Sequence, residues 1–373
     1  MSKKFGKFAT MSSRAVLFGI LSVGLACDGG RSESHPRYDG PGQTVKIMTR
    51  NVHLGAEFDS SLNVSTPAQI PSIVASLWDQ VEKSDFPGRA RLIAQEVAAA
   101  LPDIIAFQEL EWFRMQSPST FRAGAEPKAA LTAPNGDMLA IMRDALAEAG
   151  LDYGEPVVVA SHSDIELPGV DALGNTYDLR MTDRDAVFVR SGVVASNPRS
   201  ENFAHMLTVP IGGLSSGISV KIIRGFAAVD LVVQGVPFTF INTHLEVGGS
   251  LAPLQESQAR DLIERLAPIS GQVVLTGDFN SAADGSTTSS IITLTRDFAD
   301  IWSAVRPSDP GFTCCTDIRA AAPSPYERID LILGRGKVRG ESAFLTGLDG
   351  QHTPSGLLAS DHLGVVATLT VGQ

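Results

Sequence analysis

The sequence predicts an α/β fold organised as a single large domain. Stretches with the period of a strand alternate with stretches of helical period along almost the whole chain, the pattern of stacked sheets and helices. Of 373 residues, 43% are hydrophobic and only 19% charged, enough apolar surface for an extensive core. No Gly/Ser/Pro linker and no internal repeat interrupts the pattern after residue 44, so residues 44–371 read as one domain. Aromatics are few (6%) while Gly and Ala are plentiful, which favours close helix–sheet packing.

The elements follow in order. "TVKIMTRNVHLG" alternates Val45, Ile47 and Thr49 and reads as the first strand. Thr66-Pro67 reads as a helix start, with proline in the first helical position of "PAQIPSIVASLWDQVEK". "GRARLIAQEVAAAL" carries Leu92, Ile93, Val97 and Leu101 at helical spacing, and "PDIIAFQELEWF" follows as a buried strand. "GDMLAIMRDALAEAG" is an amphipathic helix closed by Gly150. Next come the strand "EPVVVAS", an irregular insertion "HSDIELPGVDALGNTYDL" and the strand "DAVFVRSG". "GISVKIIRGFAAVDLVV" and "VPFTFINTHLEV" read as paired strands and "PLQESQARDLIERLA" as a helix. "QVVLTGDFNSAADG", "RIDLILGRG" and "LGVVATLTVG" are the remaining strands.

Ahead of this domain, residues 1–26 combine Lys3, Lys4, Lys7 and Arg14, no acid, and the short apolar run "AVLFGILSVGLA". That is the composition of an export signal. Small residues at Gly24 and Ala26 suit an ordinary signal peptidase. Cys27 resembles a lipoprotein acceptor, with Gly24 where that pattern prefers Leu, so secretion and lipidation both stay open. Residues 27–43, polar with Gly and Pro, read as a flexible tether. The expected product is a monomer, exported as a cell-envelope lipoprotein or secreted. Cleavage after Ala26 removes four cations and takes the formal net charge from −11 to −15 (−11 − 4). Such a surface disfavours sequence-tolerant polyanion binding but does not exclude a nuclease. Cys314 and Cys315 are adjacent and lack the spacing of a zinc site; they are either buried thiols or a vicinal disulfide.

Polar residues gather where the strands end. Asn51 follows "IMTR", Glu109 "IIAFQ", His244 "TFINT", Asp278 and Asn280 "VVLTG", and Asp361-His362 precede "LGVVATL". Asp330 enters the apolar strand "RIDLIL". Buried charge is costly unless it is paired or bound to a metal. Taken singly, each residue has an ordinary explanation. Asn51 and Asp278 can satisfy turns, Glu109 can be solvated, His244 can be a hydrogen-bonded core histidine, and Asp330 can pair with Arg328. Neighbouring strand ends meeting in one cleft make a catalytic site out of the set. "DFNSAADG" is not a calcium loop, because Ala282 holds its fifth position and Ser289 its twelfth.

"TRNVHLG", "DIIAFQE", "INTHLE", "LTGDFNS", "RIDLIL" and "SDHLGVVATL" resemble, in order, the motifs of the endonuclease/exonuclease/phosphatase superfamily. The resemblance spans residues 45–370 and implies a four-layer α/β sandwich, two packed mixed β-sheets flanked by helices. It also implies a Mg²⁺ site at Asn51 and Glu109, with Asp361 helping to hold metal or water and Mn²⁺ an alternative cation. By the same resemblance, Asp278 orients or deprotonates the attacking water, and Asn280 positions water and a phosphoryl oxygen. His362 contacts the phosphate and is held by Asp330, and His244 is the other active-site histidine. Family members often pair that histidine with an acid, here Asp183 or Asp185.

The residue types fit hydrolysis of a phosphodiester by direct attack of water, since no Ser, Cys or Thr occupies a nucleophile elbow. The substrate is a nucleic acid, a phospholipid or a small phosphodiester. The acidic balance and Cys27 lean toward small or membrane-borne esters. A phosphomonoesterase of inositol-phosphate type would need a basic pocket, for which Arg180, Arg184 and Arg328 are the candidates. The competing class is a non-catalytic surface binding protein on the same fold.

Overall fold

The computed structural model of the protein describes residues 42–57, 64–213 and 216–372. The export-signal reading and nearly all of the tether reading fall on residues 1–41, outside the described residues. The elements run β1 (Gln43–Asn51), α1 (Ile70–Lys83), α2 (Phe86–Ala100), β2 (Ile104–Gln108), β3 (Trp112–Gln116) and β4 (Leu131–Asp137). They continue with α3 (Met138–Glu148), β5 (Val158–Val170), β6 (Thr176–Val189), β7 (Val194–Asn202), β8 (Leu207–Pro210) and β9 (Ser219–Ile222). Next are β10 (Gly225–Val233), β11 (Val236–His244), α4 (Ala252–Leu266), β12 (Val273–Asp278) and α5 (Ser290–Leu294). β13 (Ala299–Asp300), α6 (Ile301–Val305), β14 (Asp330–Arg335), β15 (Val338–Thr346) and β16 (Gly364–Val371) complete the chain.

Two mixed sheets result. The first runs β15-β16-β1-β2-β6-β3-β4, with β5 pairing onto β6; the second runs β13-β14-β12-β11-β10-β7, and β8-β9 form a separate hairpin. Alternation along each strand separates the layers. In β1, Val45 and Ile47 join Ala106, Val229, Phe238, Phe240, Val274 and Ile332 in the core between the sheets. Met48 faces the opposite way, into a core shared with Ile93 and Val97 of α2 and Met142 of α3. On the far face of the second sheet, Ile241, Leu275 and Leu331 pack against Leu262 of α4 and Ile291 of α5. The order helix, sheet, sheet, helix is the four-layer sandwich that the sequence motifs imply.

The segment 162–179, which reads from sequence as an irregular insertion, belongs instead to the β5–β6 hairpin. Glu166 lies opposite Arg180 and Leu167 opposite Leu179. Its polar residues pair across the hairpin, Arg180 with Asp164 at 2.5 Å among them, so its strand character lies in cross-strand ion pairs. Two single-strand readings are each broken in the structure. "PDIIAFQELEWF" divides into β2 and β3 at Glu109, and "GISVKIIRGFAAVDLVV" into β9 and β10 at Arg224. Thr66-Pro67 does start a helical segment, through one 3-10 turn whose Gln69 side chain accepts the Thr66 N–H at 3.1 Å.

Candidate active site

Both sheets end on the same rim. β1 runs parallel to β2 with Asn51 opposite Gln108, and β11 parallel to β12 with His244 opposite Asp278. β14 runs antiparallel to β12 and begins with Asp330 opposite Asp278. Below the rim, Gln108 Nε2 donates to Asn242 Oδ1 across the sheet interface at 2.7 Å, and Asn242 Nδ2 donates to the Phe107 carbonyl at 2.9 Å. Gly277 lets the strands close at this height. Its φ is 143° and a Cβ there would lie 1.8 Å from the Thr243 carbonyl oxygen, so the Gly of "LTGDFN" is sterically required. Each fully buried Phe or Ile in the intersheet core contributes about 1.5–3 kcal/mol. A handful of them offsets the several kcal/mol that each buried carboxylate at the rim costs.

Asp278 is the hub. Its Oδ2 accepts from Asn51 Nδ2 at 3.0 Å, and its Oδ1 accepts from the Asn280 backbone N–H at 2.8 Å. His362 Nε2 lies 3.7 Å from Asp278 Oδ2, and its Nδ1 lies 2.8 Å from Asp330 Oδ2. Burial and the neighbouring Asp330 push the Asp278 carboxyl up to about 7. Burial opposes the charge on His362, yet Asp330, Asp361 and Asp278 together raise it well above the ordinary histidine range. The sequence-predicted set Asp278, Asp330 and His362 is therefore one contact network, and its ligand atoms lie within 4.8 Å of one another.

On the other flank Asn51 Nδ2 donates to Glu109 Oε1 at 2.9 Å, while Leu54 N–H donates to Glu109 Oε2 at 2.7 Å. Glu109 adopts φ 63°, a left-handed conformation costing roughly 1–2 kcal/mol, which aims its carboxylate at Asn51. Burial first, and then Asp361, raise the Glu109 carboxyl. Asp361 Oδ2 is 3.3 Å from His53 Nδ1 and its Oδ1 accepts from Ser360 Oγ at 3.1 Å. His53 and His362 hold Asp361 far below the usual carboxylate range despite its burial.

Two sets of groups could hold a cation, and they differ in chemistry. Asp278, Asp330 and His362 have ligand atoms within 4.8 Å of one another, but Asp330 and His362 are paired together, whereas Glu109 is a carboxylate raised by burial and by Asp361. Carboxylate oxygens of that kind fit Mg²⁺ or Mn²⁺, so Glu109 and Asp361 are the better fit, with Asn51 hydrogen-bonded to Glu109 beside them. Asn51 Oδ1 accepts the His53 N–H at 2.9 Å, and its amide nitrogen donates to Glu109 Oε1 and Asp278 Oδ2.

His244 sits at the rim but does not pair with Asp183 or Asp185. Arg224 takes the place of the expected acid: its Nη1 lies 3.1 Å from His244 Nδ1 and donates to Asp183 Oδ2 at 3.0 Å. Asp185 is turned toward His162, Oδ2 to Nε2 at 3.2 Å. Asn280 Nδ2 lies 3.1 Å from His244 Nε2 and donates to the Leu245 carbonyl at 2.9 Å. Burial, then Arg224, hold His244 well below the ordinary histidine range. Arg224, His53 and Ser360 are site residues that the sequence reading missed. A basic residue interrupting an otherwise apolar strand at Arg224 was the available signal.

Cys314 and Cys315 form a vicinal disulfide next to the site. The backbone N–H groups of Cys315 and Thr316 donate to the Asp361 carbonyl at 3.1 and 3.0 Å. The arginines considered for a polyphosphate pocket are each occupied elsewhere. Arg180 pairs with Asp164, Arg184 with Asp137 at 2.6 Å, and Arg328 with Asp300 at 2.8 Å. Arg328 is thus not the partner of Asp330.

Among solved structures, the chain is similar to the endonuclease/exonuclease/phosphatase from Beutenbergia cavernae. They share 21% identity at a TM-score of 0.55, covering 88% of this chain and 72% of that one. It is also similar to the endonuclease/exonuclease/phosphatase from Bacteroides vulgatus, with 16% identity and a TM-score of 0.51, covering 88% and 99%. At these identities the likeness shows a shared fold. No curated protein matches the sequence. The Endonuclease/Exonuclease/phosphatase family itself matches over residues 61–362, most of the chain and every rim residue from Glu109 to His362. The chain belongs to that family, whose members are typically divalent-metal-dependent phosphoester hydrolases.

Proposed function

We propose that the protein is an exported, Mg²⁺- or Mn²⁺-dependent phosphodiesterase that hydrolyses its substrate by direct attack of water. The observation carrying this is the placement of Asp278, with Asn51 at 3.0 Å on the Glu109 flank and the His362–Asp330 pair on the other. A carboxyl pushed up to about 7 is a stronger base than an ordinary aspartate and is suited to taking a proton from water near neutral pH. The water oxygen bonds to phosphorus, its proton passes to Asp278, and the P–O bond to the leaving group breaks with its electron pair. His362, charged and anchored through Nδ1 on Asp330, turns Nε2 toward the cleft and can donate to a phosphoryl oxygen. Glu109 and Asp361 would hold the cation, joined by Asn51 if its amide turns its oxygen to them, and the bound cation would supply positive charge against the phosphate and the leaving oxygen.

Export rests on the sequence of residues 1–26 alone, and is checked by fractionating cells that express the full chain and its Cys27→Ser variant. Activity is tested on plasmid DNA, RNA, sphingomyelin, phosphoinositides and bis-p-nitrophenyl phosphate, with Mg²⁺ or with chelator. Hydrolysis of at least one diester, abolished by chelator and by Asp278→Asn, is expected. No turnover of any of them by the folded wild-type protein would leave the binding-protein reading in its place.

A further inference from the structure

We propose that Arg224 is a positioning residue that fixes the proton of His244 on Nε2, so that the ring offers an N–H to the cleft. The inference rests on the phosphodiesterase reading of the site. Arg224 lies between β9 and β10, where the chain leaves one strand and enters the next, and its side chain is only 15% exposed. Its Nη1 reaches His244 Nδ1 at 3.1 Å and Asp183 Oδ2 at 3.0 Å, and its Nε lies 3.8 Å from Glu246 Oε2. A guanidinium has donors only and keeps its charge in proteins, so the Nδ1 it meets must carry the lone pair. The proton of a neutral ring then belongs to Nε2.

One contact argues the other way. Asn280 Nδ2 is 3.1 Å from Nε2, and an amide nitrogen there also asks for a lone pair. Both nitrogens of a neutral ring cannot accept. A hydrogen bond from a charged donor contributes about 1.5–3 kcal/mol against about 0.5–1.5 for a neutral one, and the Asn280 amide already has the Leu245 carbonyl at 2.9 Å. The Nε2 side also faces Asp278 Oδ2 at 3.7 Å and Glu109 Oε1 at 4.0 Å, which accept from an N–H when ionised. Arg224 therefore decides the tautomer. With the proton on Nε2, His244 is a donor to a phosphoryl or leaving oxygen; with it on Nδ1, the ring would present a lone pair to the anion and repel it.

Full-length protein labelled with ¹⁵N in its seven histidines gives two-bond ¹H–¹⁵N spectra that distinguish the two tautomers and the doubly protonated ring. The His244 signals are those lost in His244→Gln. The expected wild-type pattern at neutral pH is protonated Nε2 with bare Nδ1. Arg224→Lys should keep this pattern and Arg224→Met should lose it. In kinetics Arg224→Met should lower kcat by roughly 10²-fold with KM little changed, and Arg224→Lys should recover most of the loss. A wild-type ring protonated on Nδ1 overturns the proposal, and this measurement needs no variant to fold. Because the spectrum needs no turnover, the two readings separate. The expected tautomer in a protein that cleaves no phosphoester sinks the phosphodiesterase, and the opposite tautomer in an active enzyme sinks the role of Arg224.

Discussion

His362 Nδ1 and Asp330 Oδ2 meet at 2.8 Å with both side chains buried, and the carboxylate keeps the imidazole protonated well above its ordinary range. The raised folded-state value means that this proton stabilises the fold below the unfolded histidine value, and that the gain disappears as pH rises through the folded one. Asp330→Asn keeps an acceptor at the same place and removes the charge. The alkaline limb of the kcat profile should move to lower pH by about one to three units, since His362 would lose its proton sooner. The rate at neutral pH should fall roughly 10²- to 10⁴-fold. A pH–rate profile with an unmoved alkaline limb would show that Asp330 does not set the charge on His362.

Asp278 gives stability a pH slope of the same sign, in a lower pH window. Its carboxyl is pushed up to about 7 from an ordinary aspartate value, so the folded protein holds this proton more tightly than the unfolded chain. Stability of the metal-free protein should then fall as pH rises from roughly 4 to 7. Asp278→Asn removes that slope. In urea unfolding at pH 4.5 and 7.5, the variant should gain on the wild type between the two values while its activity is lost. An equal stability difference at both pH values would count against a raised Asp278.

Glu109 carries the metal prediction. Its carboxyl is raised by burial and by Asp361, two effects that a bound cation offsets. Mg²⁺ at about 100 times its dissociation constant should stabilise the wild type by about 2.7 kcal/mol, seen as a higher Tm. Glu109→Gln should abolish most of this shift and should itself raise the metal-free Tm, because a buried charge has been removed. A full shift in the variant would move the cation to Asp278, Asp330 and His362.

How much of this could be read from the residues depends on what each element buries. β2, β12, β14 and β16 are covered on both faces and spell continuous apolar runs, so their polar ends stood out and the rim could be assembled from Asn51, Glu109, Asp278, Asp330 and His362. β5 is held by pairs such as Asp164–Arg180, which look like loop chemistry in a linear sequence. His162 and Asp185 lie 23 positions apart and meet only because β5 folds back on β6. Arg224 stands out against its apolar flanks, but its role depends on His244, which reaches the same point from β11.

The Cys314–Cys315 segment links the two parts of the His362–Asp330 pair. Thr313 Oγ1 accepts the Asp330 N–H at 3.3 Å, the Leu363 N–H donates to the Thr313 carbonyl at 2.6 Å, and Cys315 and Thr316 donate to the Asp361 carbonyl. The strut thus touches the strand that carries Asp330 and the loop that carries His362. The disulfide restrains the segment that makes those bonds, each contributing about 0.5–1.5 kcal/mol. Freeing it should let the loop drift more than it should unfold the sandwich, whose three cores lie elsewhere. Catalysis is the more sensitive quantity, because a misplacement of about 1 Å can cost on the order of 10²-fold in rate. Reduction of the wild type, or the Cys314→Ser/Cys315→Ser double variant, should lower kcat by roughly tenfold or more with a small change in Tm. Added reductant should leave the double variant unchanged, which separates the disulfide from general effects of the reagent. If reduced wild-type protein, with free thiols verified by titration, retains its full rate, the strut holds the loop without the sulfur–sulfur bond.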